Sequence, residues 1–324
     1  MENIIEIKGL KKSYGSFEAV KDVTFNVKKG EIFGFLGPNG AGKCTTISML
    51  STMRKPSSGL ALINGFDIAK EKDQVRQSIG IIFQENTLDE KLTAYENLIL
   101  HCQLYHVDKN VREERISEVL EMVDLTDKKD KIVKTFSGGM KRRLEIARGL
   151  LHYPKVIFLD EPTVGLDPQT REHIWQYILK LKEEAGITVF LTTHYMDEAE
   201  HCDRIAIIDD GRIISMDTPE GLKNGLGGDL MELSTENNTK SVEIIKERYH
   251  KEPKIKDGTI VFHVDKGNEF LVDFVKSFEI PINSINLRRP TLNDVFLNLT
   301  GREIREDTQA KKEFVETSKK KENR

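Results

Sequence analysis

No apolar run in this 324-residue sequence approaches the length needed to cross a bilayer. Its first residues, MENIIEIKGLKKSYG, lack the apolar core and cleavage site of a secretory signal. Only three cysteines occur, Cys44, Cys102 and Cys202, odd in number and far apart. That argues against a disulfide framework and suits a reducing cytosol. Basic residues are not in excess: the formal net charge is −4, so no global field favours nucleic acid. Internal repeats and sustained heptads are missing as well. What remains is an ordinary globular composition, long enough for one large domain and a smaller one. Any link to a membrane is expected to come through a partner.

Short apolar or alternating runs predict strands at Ile4–Lys8, Val23–Val27, Glu31–Leu36, Ile79–Phe83, Val156–Leu159, Thr188–Thr192 and Ile205–Ile208. Helical patterns separate the later ones, which points to an α/β fold with a mostly parallel sheet. From Thr93 to Val123 the pattern is helical and charged, the mark of a helical subdomain within about residues 85–150. Turn formers accumulate from Pro219 to Asp229. Beyond them the reading is strand (Leu230–Leu233), helix (Ser241–Tyr249), strand (around Ile255), strand (Thr259–Val264), helix (Asn268–Phe278) and strand (Ile282–Leu287). This βαββαβ order predicts a small ferredoxin-like α+β domain over 228–300. A charged tail, frayed or disordered, is expected over 301–324.

Three stretches carry chemistry. In GFLGPNGAGKCTTISML, Gly34–Leu50, a strand runs into Gly37, Pro38, Asn39, Gly40, Ala41, Gly42 and Lys43, and a helix starts with Cys44 and Thr45. Backbone N–H groups of such a loop, with the helix N-terminus, cradle phosphates, and the lysine reaches the β- and γ-phosphates. The pattern asks for Ser or Thr where Cys44 stands. In VIFLDEPTVGLD, Val156–Asp167, two carboxylates follow a buried strand, at the end where α/β sheets bind ligands. Asp160 is the candidate to hold Mg²⁺ through water, and Glu161 to polarise an attacking water. In FSGGMKRRLEIARGLL, Phe136–Leu151, Ser137, Gly138 and Gly139 open a second helix whose N-terminus seeks an anion.

Together, over residues 4 to about 218, these motifs resemble the ATP-binding subunit of an ABC transporter. The resemblance implies a P-loop NTPase core over 1–220, with an antiparallel β subdomain and a helical subdomain, using ATP and Mg²⁺. It places Tyr14, in KKSYG, where the family stacks a ring on adenine. Gln84, in IIFQE, falls at the loop that contacts Mg²⁺ and the membrane subunit. SGGMKRR is similar to the signature motif, with Met140 where Gln is usual. VGLD, ending at Asp167, is similar to the loop that crosses the dimer, and His194, in LTTHYMDEAE, matches the switch histidine that senses the γ-phosphate. The family closes two such chains head to tail on ATP. A homodimer, or a pair with another ABC ATPase, is therefore expected on the cytoplasmic face of a membrane, bound to integral permease subunits. RPTLNDVFLNLTGREIRE, Arg289–Glu306, resembles the C-terminal segment of the daunorubicin-resistance type, whose partners export drugs, lipids or other amphiphiles. Its Leu292, Val295, Phe296 and Leu299 are also spaced to pack on the βαββαβ unit.

Cys44 is the departure. Sulfur is a poor ligand for Mg²⁺, and Thr45 is turned from it by about 100° on a helix. The expectation is a working site with weakened Mg²⁺ affinity and slowed turnover; a second reading is that Cys44 gives sensitivity to thiol reagents, which bound ATP should block. Two other readings compete: a regulatory nucleotide-binding module in which Cys44 has abolished catalysis, and an ABC ATPase acting on ribosomes or DNA. Against the latter stand the single cassette and the missing coiled coil.

Overall fold

The structure, a computed structural model, describes residues 2–256 and 258–301. They form two compact units that divide after Met216. In chain order the first contains β1 (Asn3–Tyr14), β2 (Phe17–Lys28), β3 (Ile32–Leu36), α1 (Lys43–Leu50), β4 (Ser58–Ile63), β5 (Phe66–Asp67), α2 (Lys72–Ser78) and β6 (Ile79–Ile82). It continues with α3 (Ala94–Leu104), α4 (Arg112–Met122), α5 (Gly138–Leu150), β7 (Val156–Asp160), α6 (Pro168–Ala185), β8 (Thr188–Thr193), α7 (Met196–Ala199), β9 (Arg204–Asp209) and β10 (Arg212–Asp217).

Two sheets share one core. The larger has the order β10-β9-β3-β8-β7-β6, with β9, β3, β8, β7 and β6 parallel. Every residue of β3 is buried, as a central strand covered on both faces requires. The smaller sheet, β2-β1-β4-β5, is antiparallel. Phe25 of β2 stacks on Phe33 and Phe35 of β3, with ring centroids 5.2 and 5.5 Å apart. Phe190 of β8 joins them and meets Phe158 of β7. This aromatic block fixes β3 and β7, the strands whose ends carry the candidate site.

Some elements depart from the sequence reading. β1 and β2 are longer, because the polar run Lys12–Tyr14 keeps its ladder opposite Phe17–Val20. The helical run after Thr93 is two helices, broken where His106 turns to φ 54°. Thr93 and Glu96 close a capping box at its start.

The second unit has α8 (Pro219–Asn224), β11 (Asp229–Thr235), α9 (Asn238–Tyr249), β12 (Lys254–Lys256), β13 (Thr259–Val264), α10 (Gly267–Ser277), β14 (Ile282–Arg288) and α11 (Leu292–Thr300). From β11 to β14 the order is βαββαβ, in an antiparallel sheet β12-β13-β11-β14. Met231, Leu233, Phe262 and Phe274 centre its core. The turn-rich stretch after Thr218 includes a short helix, α8, because Thr218 caps it and Pro219 sits in its first turn. Of the four apolar residues expected to pack from α11, Leu292, Val295 and Phe296 are buried, whereas Leu299 is 43% exposed. The helix contacts α8. Apart from Gly301, the tail expected at 301–324 lies outside the described residues.

Candidate functional site

The loop between β3 and α1 is shaped by backbone crowding. Gly37 donates its N–H to Thr193 O at 3.2 Å, and a Cβ there would lie 2.3 Å from Ile208 O. Gly42, the N-cap of α1, has φ 105°, and its Cβ would lie 2.6 Å from Ala19 O. Only glycine fits either position. Pro38, Asn39, Gly40 and Ala41 bridge them, and Ala41 N–H returns to Pro38 O at 3.2 Å. No side chain caps α1 and no acidic residue stands in its first turn. No acidic residue of the helix itself offsets the N–H groups that open it, which favours an anion there.

Lys43 is 3% exposed, and its ammonium is folded back into the loop. Nζ donates to Gly37 O at 2.7 Å and Pro38 O at 3.2 Å, and lies 3.4 Å from Glu161 Oε1. Glu161 has φ 46°, a left-handed conformation costly for a residue with a Cβ. Thr192 holds it there, accepting the Glu161 N–H through its carbonyl at 3.1 Å and its hydroxyl at 3.2 Å. In this conformation Oε1 also lies 3.1 Å from His194 Nδ1. A carboxylate only accepts, so Nδ1 carries the hydrogen. His194 is 3% exposed, and its Nε2 is buried with no hydrogen-bond partner among the described residues. Burial pushes the Glu161 carboxyl up, but the His194 hydrogen bond and the Lys43 charge outweigh it and hold it below the usual range. Glu161 is ionised at neutral pH.

Asp160 ends β7 beside this group. Its Oδ1 accepts from Thr192 Oγ1 at 2.5 Å and from Cys44 Sγ at 3.5 Å. Cys44 is exposed by surface area, but the atoms crowding its sulfur, then the Asp160 charge, push the thiol up to about 11. At neutral pH the thiol is then almost wholly protonated. Thiol reagents are expected to modify Cys44 slowly, roughly tenfold faster per pH unit up to pH 10. A rate at pH 7.5 equal to that of a small free thiol excludes this environment. Thr45 is partly buried on the same turn.

The remaining residues lie further out. Gln84 follows β6 and is exposed. With Glu161, Gly138, Arg142, Val164 and Leu166 it lines a cavity of about 130 Å³. Ser137 caps α5, accepting from Met140 N at 3.2 Å. Gly138 and Gly139 back onto Leu166 and Thr170, so the signature segment stands beside the loop that ends at Asp167. Asp167 caps α6, accepting from Thr170 N at 3.0 Å and Thr170 Oγ1 at 2.6 Å. Tyr14, at the end of β1, is 40% exposed, with Lys12 Nζ 5.2 Å and Arg54 5.6 Å from its ring.

The cations after the signature glycines do not await an anion. Arg142 is buried and donates to Pro162 O, Phe83 O and Glu145, joining the ends of β6 and β7. Arg143 donates to Val123 O and Tyr177 Oη, and Lys141 pairs with Glu90. Sequence reasoning also missed Glu198. This buried carboxyl of α7 accepts from Thr163 Oγ1, and burial pushes it up to about 7. It joins the turn after His194 to the loop leading to Asp167. Its place four residues after His194, in HYMDEAE, was the available signal.

Comparison with known proteins fits this geometry. The ABC transporter family matches residues 20–164. The linearmycin resistance ATP-binding protein LnrL of Bacillus subtilis is 41% identical over 312 residues, covering 94% of this chain and 100% of that protein. The daunorubicin/doxorubicin resistance ATP-binding protein DrrA of Streptomyces peucetius is 38% identical over 309 residues, with 92% of each chain covered. Among solved structures, the cassette MJ0796, a dimer in a post-hydrolysis state bound to ADP and Pi, is 32% identical at a TM-score of 0.60. That match covers 66% of this chain and 98% of the other. CbiO1 of Clostridium perfringens, part of the ABC transporter complex cbiONQ, is 29% identical at a TM-score of 0.65. It spans 76% of this chain and 96% of that one. Among the described residues no helix is long and apolar enough to cross a membrane. The chain belongs to the ATP-binding subunits of ABC transporters, and it is an ATPase of that family.

Proposed function

We propose that this chain hydrolyses ATP to drive export of an amphiphile, such as a drug or lipid, through separate integral membrane subunits. It would sit on their cytoplasmic face as a homodimer or beside a second ABC ATPase. The observation that carries the chemistry is the buried set Lys43, Glu161 and His194 at the mouth of an uncapped helix. The export class rests on relatives named for linearmycin and daunorubicin resistance that match this chain over nine-tenths of its length.

In this reading the phosphates take Lys43 Nζ from Gly37 O, Pro38 O and Glu161, which offer it weaker charge. Glu161, freed of that cation, loses part of what keeps its carboxyl low and becomes the better base for a water. His194 gives its Nδ1 hydrogen to Glu161, so it contacts the γ-phosphate through Nε2 only when that nitrogen also carries a hydrogen. Tyr14 stacks on adenine, and Ser137, Gly138, Gly139 and Asp167 meet the nucleotide of the partner chain. Gln84 relays its state to the permease.

Mg²⁺ fits this donor set only in part. Asp160 is a suitable oxygen ligand, whereas the thiol beside it is not, and Gln84 lines the cavity next to Glu161. When bound, Mg²⁺ supplies charge neutralisation at the β- and γ-phosphates. Cys44→Thr is expected to raise ATPase activity or lower the Mg²⁺ needed for half-maximal turnover by about tenfold. Unchanged activity at every Mg²⁺ concentration would remove this account of Cys44. The transport reading is tested by ATP-driven efflux of an amphiphile from vesicles holding this chain and its permease, and it fails if efflux ignores ATP.

A further inference from the structure

Sulfur and carboxylate oxygen converge at the mouth of α1. Cys44 is exposed there, with Sγ 3.5 Å from Asp160 Oδ1, whereas Cys102 and Cys202 are buried elsewhere. The two donors come from different elements, the first turn of α1 and the end of β7. Thr192 Oγ1, 2.5 Å from the same carboxylate oxygen, fixes it in place. Among the described residues no three or more His, Cys, Asp or Glu are grouped so that they could hold a metal ion by themselves. A cation at this point therefore needs oxygens that the protein does not supply, and the phosphates of a bound nucleotide are the source at hand.

The chemistry of that mixed set is not the chemistry of Mg²⁺. Mg²⁺ demands six hard oxygens near octahedral geometry, and a sulfur in its shell is a lost ligand. A borderline or soft divalent ion gains from the same sulfur. Resting on the nucleotide-site reading above, we infer that Cys44 shifts the cation selectivity of this site from Mg²⁺ toward thiolate-binding divalent ions of the Zn²⁺ and Cd²⁺ kind. Cys44 Sγ and Asp160 are the protein donors, and phosphate oxygens and water complete the shell. On binding, the S–H bond is exchanged for an S–metal bond and the proton passes to solvent. No electron changes hands.

The test uses the full chain, freed of metal, with a non-hydrolysable ATP analogue. Fluorescent-nucleotide binding is measured first with Mg²⁺. No binding to the wild type or to Cys44→Ser sinks the nucleotide-site reading and the inference with it. Given binding, Cd²⁺ is titrated into the nucleotide complex and its ultraviolet thiolate charge-transfer band is followed. The wild type is expected to develop the band at one equivalent, and Cys44→Ser to lack that component. Cys102 and Cys202 are present in both proteins, so the difference belongs to Cys44. The Cd²⁺-over-Mg²⁺ affinity ratio for the nucleotide complex is expected to fall by about tenfold or more in Cys44→Ser. Equal bands, or an equal ratio in the two proteins while nucleotide still binds, overturn the inference and leave the nucleotide site standing.

Discussion

Glu161→Gln is expected to cut steady ATP turnover by about 10²- to 10⁴-fold, the share a positioned base supplies. Nucleotide affinity should persist. Glutamine keeps an oxygen to accept from His194 Nδ1, now 3.1 Å from Glu161 Oε1, and Lys43 keeps the carbonyls of Gly37 and Pro38. What disappears is the charge that takes a proton from water. With ATP bound but uncleaved, the polyphosphate bridge between two chains should persist, and light scattering should show an ATP-dependent dimer. Substitution of His194 by alanine should also slow turnover, but it leaves the base in place and unmasks the Lys43–Glu161 pair. If Cys44 has already reduced turnover below detection, the comparison is made in a Cys44→Thr background. Turnover in Glu161→Gln within threefold of its parent assigns the base to another residue.

The strand–loop–helix that cradles phosphate is legible because its physics is local. A buried run ends at Gly37, glycine relieves contacts at two points where a Cβ would meet a carbonyl, and a helix starts without an acid. The order β11 to β14 is equally readable, since alternation and helix period switch cleanly there. β4 and β5 were invisible: SGLALI is too short and glycine-bearing to stand out, and it is a strand because β1 offers an edge. The left-handed turn at Glu161 has no sequence signature either. It is imposed by Thr192, 31 residues away, and it decides where the carboxylate lies. Cys44 shows the reverse case. Its position betrayed a missing hydroxyl, but its raised pKa comes from local crowding and Asp160, 116 residues on, which the sequence does not show.

Arg142 stands between Lys141 and Arg143 just after the signature glycines, and it joins the loops of the site from inside. Nε donates to Pro162 O at 2.7 Å, one terminal nitrogen to Phe83 O and to Glu145 Oε2 at 3.1 Å, and the other lies 3.4 Å from Asp160 O. Phe83 precedes Gln84, and Asp160 and Pro162 flank Glu161, so one planar fork sets the spacing between the two candidate loops. Arg142→Met fills similar volume but leaves three carbonyls and the Glu145 carboxylate, 3% exposed, without that donor. Among the described residues Glu145 keeps the Thr87 N–H at 2.8 Å and its hydroxyl at 3.2 Å, with the Arg148 charge nearby. Breaking a buried pair of this kind costs about 3–5 kcal/mol. At about 2–4 °C per kcal/mol for a unit of this size, the melting midpoint should drop by roughly 6 °C or more. Arg142→Lys keeps the charge and loses the fork, so it should recover much of the stability and little of the ATPase rate. That split separates a residue that spaces the site from one that merely fills the core. Equal recovery of stability and turnover by lysine, or a midpoint for Arg142→Met within 1 °C of wild type, contradicts the assignment.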